Sequence, residues 1–67
     1  MSTFNEANQA RIGLKMKLSQ FAWYSSSAVV SEKDGYAVVI LVKHLDNSVR
    51  KQIAPVVNGV SVKAELE

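Results

Sequence analysis

Apolar and polar residues recur with two different periods along this chain, and the change of period marks its elements. At ~100° per residue, Ala7, Ala10, Leu14, Leu18 and Phe21 fall within a sector about 80° wide. That spacing predicts a helix over residues 4–20 with a single core-facing stripe. Thr3 and Glu6 stand at the spacing of a capping box, in which a hydroxyl and a carboxylate satisfy the first free amides of a helix. Arg11, Lys15 and Lys17 flank the stripe, where long stems can cover apolar edges while the charges stay in water. Ile12 and Met16 lie one turn apart on the opposite side, beside Gly13. A mid-helix glycine costs ~1 kcal/mol relative to alanine, so either close approach of another backbone or simple tolerance must account for it.

Beyond Phe21 the pattern becomes that of strands. Residues 23–31 and 36–44 predict a hairpin, with Glu32-Lys33-Asp34-Gly35 in the form of a type I turn closed by a glycine at positive φ. With Glu32 and Tyr36 as the closing pair, Val30 faces Val38, Ala28 faces Ile40, Ser26 faces Val42 and Tyr24 faces His44. The helix is expected over the Val38, Ile40 and Val42 side, where Ser26 and Ala28 are small enough to let it come close. The other side then presents Trp23, Val29, Ala37, Val39 and Leu41, more apolar than a solvated sheet face usually is. Asp46-Asn47-Ser48 supplies caps for a short helix or turn over 48–53, which Pro55 ends. Asn58-Gly59 is a tight-turn dipeptide, and residues 60–65 alternate as a half-buried strand. That strand is expected to return parallel to the second and lie beside the first. The fold class is therefore α+β: one αββαβ domain over residues 1–67, with a three-stranded, mostly antiparallel sheet and a long N-terminal helix on one face.

Gly35-Tyr36-Ala37-Val38-Val39-Ile40-Leu41-Val42, followed by Pro55-Val56-Val57-Asn58-Gly59-Val60-Ser61-Val62, resembles a small αββαβ domain of bacterial proteins of unknown function. Similar domains occur ahead of trypsin-like peptidase domains. The likeness extends over about residues 7–65 in order of elements, and its most specific part is the proline followed by Gly-Val-x-Val. Such domains often carry glycines in the first strand, where Ser25-Ser26-Ser27-Ala28 stands here. The resemblance implies the fold and brings no catalytic or binding residues.

Composition narrows the chemistry. Cysteine is absent and histidine occurs once, which removes disulfides, thiolate ligands and a histidine-built zinc site; no metal or cofactor is expected. At 67 residues the core is small, and self-association is the support still open to it. No apolar run approaches the ~20 residues that span a bilayer, so no membrane partner is expected. The N-terminus has no basic region leading into an apolar stretch, which makes a cytoplasmic location the default. Leu66 and Glu67 have the form of a cloning remnant and carry no functional weight.

Three consecutive serines, Ser25 to Ser27, invite a search for a nucleophile. Activation needs a base in hydrogen-bond reach, and His44, with Asp46 two residues on, is the sole candidate. Serines within a regular strand lack the sharp turn that presents a nucleophile. The acids fall at element ends and turns, and Gly13, Gly35 and Gly59 are too scattered for a phosphate loop. No catalytic constellation results, and the chain is not expected to be an enzyme. The leading expectation is a non-catalytic interaction module, a homodimer or the partner of a larger protein. Its surface would be formed by Trp23, Val29, Ala37, Val39 and Leu41 on the sheet, or by Ile12 and Met16 on the helix. The second is a weak single-stranded nucleic-acid binder, stacking bases on Trp23 amid scattered lysines and arginines. A net charge of +2 is a weak excess, far from the dense basic field of a dedicated nucleic-acid binder.

Overall fold

A computed structural model of the protein describes residues 3–33 and 35–67. Helix α1 runs Phe4–Leu18, β1 Tyr24–Glu32, β2 Gly35–Val42, α2 Asn47–Gln52, β3 Val56–Val57 and β4 Val60–Leu66. Among the described residues these make a four-stranded mixed sheet of order β1-β2-β4-β3.

The capping box forms as its spacing predicts. Glu6 N–H donates to the Thr3 hydroxyl at 3.2 Å, and Thr3 N–H donates to the Glu6 carboxylate at 2.9 Å. That bond from the Thr3 backbone is the main reason the Glu6 carboxyl sits below the ordinary carboxylate range. The helix ends at Leu18, two residues short of the expected Gln20: Ser19 N–H makes its last i→i−4 bond, to Lys15 C=O, and Phe21 N–H then closes a tighter turn onto Leu18 C=O as the chain bends. Ala7, Ala10, Leu14 and Leu18 are buried, and they meet Val38, Ile40 and Val42 of β2. The side of β2 assigned to the helix is thus the observed one. Val49 and Ile53 of the α2 segment and Val60 and Val62 of β4 complete the same cluster. Both helices therefore lie on one face of the sheet. Asp46 caps α2, its Oδ1 accepting from Val49 N–H at 2.9 Å.

Three expectations are corrected. The sheet has a fourth strand, β3, which pairs antiparallel with β4 as Val56 with Ser61 and Val57 with Val60. Asn58 and Gly59 between them have φ of 51° and 80°, the double positive φ of a two-residue type I′ hairpin. Next, β4 lies parallel beside β2, not beside β1. The unbroken apolar run of β2 is the physical reason: a strand flanked on both edges and packed from above occupies the centre of a sheet.

The third correction is the hairpin register. Glu32 pairs with Gly35, where pairing with Tyr36 is expected from the sequence. Asp34, part of the expected turn, lies outside the described residues. Gly35 itself has φ of 136°. A slip of one residue exchanges the two sides of a strand. Val29 now opposes Val38, Ser27 opposes Ile40, and both face the helix; Val30 opposes Ala37 and Ala28 opposes Val39 on the far side. A β-bulge between Tyr24 and Ser26 inserts Ser25 and places Tyr24 opposite Val42. The Tyr24 ring thereby joins the rim of the core, with its hydroxyl 3.2 Å from the Ser27 hydroxyl.

Candidate functional site

With α1 and α2 on one face, no described segment covers the other. The bare face is built from Ser26, Ala28 and Val30 of β1, Ala37, Val39 and Leu41 of β2, Ser61, Lys63 and Glu65 of β4, and Val56 of β3. Its β1–β2 half is apolar, and the inner strand β4 adds a polar stripe of Ser61, Lys63 and Glu65. Glu32 at the end of β1 is ion-paired with Lys63 of β4, spanning the sheet above β2. The hydrogen bond from Lys63 to this carboxylate raises the lysine pKa above its ordinary value.

The surface residues expected from the sequence separate into three groups. Ala37, Val39 and Leu41 do lie on the bare face. Their neighbours already hide Ala37 fully and Val39 to 7 % exposure, while Leu41 is half-buried. Val30, Ala28 and the 58 %-exposed Val56 supply the rest of the accessible apolar surface. Trp23 and Val29 do not belong there. Val29 follows the register onto the helix side, and Trp23 packs against the core with its ring stacked on Phe21 at 4.9 Å. Ile12 and Met16 point outward from α1, 38 % and 77 % exposed, on the opposite side of the molecule from the bare face. One flat interface cannot include both patches.

The position of Trp23 also decides the base-stacking geometry. No aromatic side chain of the described residues stands on the bare face. Phe21, Trp23 and Tyr24 pack on the core, and Tyr36 meets Phe4 edge-on at 5.5 Å on the helix side.

Two of the three serines are engaged by side chains other than His44. Ser25 donates to the Glu67 carboxylate, and Ser27 is bonded to Tyr24. His44 lies past the end of β2, exposed, 3.9 Å from the carboxylate of Asp46, which is engaged as the α2 cap. No hydrogen bond joins His44 to a serine among the described residues, and no group of three potential metal ligands gathers there. No described helix is long and apolar enough to cross a membrane.

Two open clefts indent the helix side. One, of about 300 Å³, is lined by Arg50, Ile53, Pro55, Val62 and Ala64 and holds a single charged group. The other, of about 220 Å³, follows the outer edge of β1 and is lined by Arg11, Lys15, Tyr24, Ser25, Ser26 and Ser27. Sequence reasoning missed this second cleft, because its cations and hydroxyls meet only once α1 is laid over β1. Comparison with protein-family models, curated proteins and solved structures gives no match.

Proposed function

We propose that the chain is a non-catalytic protein-interaction module that associates with a second copy of itself through the bare face of its sheet. One observation carries this reading: both helices pack on the same face, and the β1–β2 half of the other is apolar with no described segment over it. Antiparallel sheets that meet water on one side are normally polar there, so an apolar patch of this kind beside charged residues suits a contact with another protein surface. The residues flanking that patch carry both signs, in Glu32, Lys63 and Glu65, so a two-fold arrangement can set unlike charges opposite each other.

Size sets the strength. Three strands at ~4.8 Å spacing and about six residues at ~3.3 Å rise, with the short β3 beside them, give roughly 300 Å² per copy. A standard stable interface takes ~800 Å² per partner, so the dimer is weak and depends on concentration. Sedimentation velocity over a concentration series tests it. The wild type shifts toward dimer in the high micromolar range, whereas Leu41→Glu, which puts a charge into the apolar part of the face, stays monomeric. A wild type that remains monomeric throughout, or a Leu41→Glu variant that dimerises equally well, overturns the reading.

A further inference from the structure

The outer edge of β1 is a second surface, independent of the bare face, and its chemistry is specific. β1 is an edge strand of nine residues. Natural edge strands are commonly guarded by lysines, prolines or inward charges. This one contains no lysine, arginine or proline, and its one carboxylate, Glu32, is turned to Lys63. The Ser25 bulge breaks the strand near its start, but residues 26–31 pair regularly with β2. In an antiparallel pair alternate residues direct their N–H and C=O groups away from the partner, so one set along this segment faces outward.

Above that edge stand two cations. Arg11 is oriented by Asn8, whose side-chain oxygen accepts from Nε at 3.1 Å and from Nη2 at 3.0 Å. Neither Arg11 nor Lys15 has a carboxylate partner among the described residues. Below the edge lie Ala28 and Val30 of the bare face.

We propose that β1 accepts an extended peptide of about six residues that alternates acidic and apolar side chains. Added as an outer strand, such a peptide satisfies the free backbone groups of residues 26–31. Every second side chain then points up, where Arg11, Lys15 and the hydroxyls of Tyr24 and Ser27 bind carboxylates. The intervening side chains point down and extend the apolar surface beside Ala28 and Val30. A second copy of this chain does not fit the same edge. Antiparallel pairing of β1 with itself brings two Arg11 and two Lys15 side chains to one seam, a like-charge cluster.

The test titrates the full chain, at low salt, with a blocked hexapeptide of alternating valine and glutamate, its valine–lysine counterpart, and inorganic phosphate, while backbone amides are followed by NMR. Saturable binding of the glutamate peptide is expected, with shifts and slowed amide exchange along residues 26–31. The Arg11→Glu/Lys15→Glu variant, altered only on the helix surface, loses affinity on the order of tenfold or more and prefers the lysine peptide. Leu41→Glu binds like the wild type, which separates this surface from the proposed dimer face. Equal binding of the two peptides, shifts that avoid β1, or no saturation by the glutamate peptide overturns the proposal. So does phosphate reproducing every peptide-induced change, which reduces the cleft to a simple anion site.

Discussion

Replacement of Gly13 by alanine isolates one contribution to the stability of α1. Gly13 is exposed near the middle of the helix, and a methyl group built there meets no atom within 4 Å. Its φ is not in the positive region, so alanine adopts the same backbone without strain. What remains is the difference in helix propensity and in the freedom of the unfolded chain, ~1 kcal/mol in favour of alanine. For a domain of this size that corresponds to a rise in Tm of about 4–8 °C. Thermal and urea unfolding, followed by circular dichroism on dilute protein, measure it; the urea midpoint should rise with an unchanged slope. A neutral or destabilising outcome refutes the reasoning, because it requires an atom against Gly13 that the folded chain does not supply. A gain seen in dilute protein that disappears as concentration rises would instead place this glycine at a contact between copies.

The opposite sign is expected at Gly59, where φ is +80° although space is open: Gly59→Ala should cost ~1 kcal/mol in the same assay. Ile40→Ala, which empties the centre of the core beneath α1, should cost ~2–5 kcal/mol, and a loss of under ~1 kcal/mol would show that Ile40 is not central. Asp46→Ala should cost about 1 kcal/mol by removing the α2 cap, with Asp46→Asn retaining most of it in chemical denaturation. Glu6 contributes stability that is present above the ordinary carboxylate pKa and is lost as pH falls through its lowered folded value. Melting curves below pH 5 should therefore show a smaller acid-induced drop for Glu6→Gln, which keeps an acceptor but cannot titrate.

The parts of the fold that were legible in the residues are those where two local signals agree. At α1 the Thr3 and Glu6 spacing and the Ala7, Ala10, Leu14, Leu18 stripe point to the same helix, and it forms. β1 offers no such agreement. Ala28-Val29-Val30 has no alternation and Ser25 to Ser27 are neutral between core and water, so loop length alone chose the register. Lys33-Asp34-Gly35 suits a two-residue or a three-residue connection, and Glu32 is found paired with Gly35. β3 escaped because two residues fall below the length at which a strand pattern exists, although Asn58-Gly59 between Val57 and Val60 carried the hairpin signal. Trp23 was misplaced for a different reason: it precedes β1, in the turn after α1, where strand alternation does not apply.

The two margins of the sheet are unequal, and this limits what the molecule can build. β3 is two residues long, and because the Pro55 carbonyl is turned inward to accept from Val62 N–H at 2.8 Å, alternation leaves Val56 alone with its backbone groups directed outward. That margin cannot template another strand. Recruitment through backbone hydrogen bonds is therefore confined to a single side of the sheet and ends after one addition, so stacking by repeated strand capture into a fibril has no second end from which to continue.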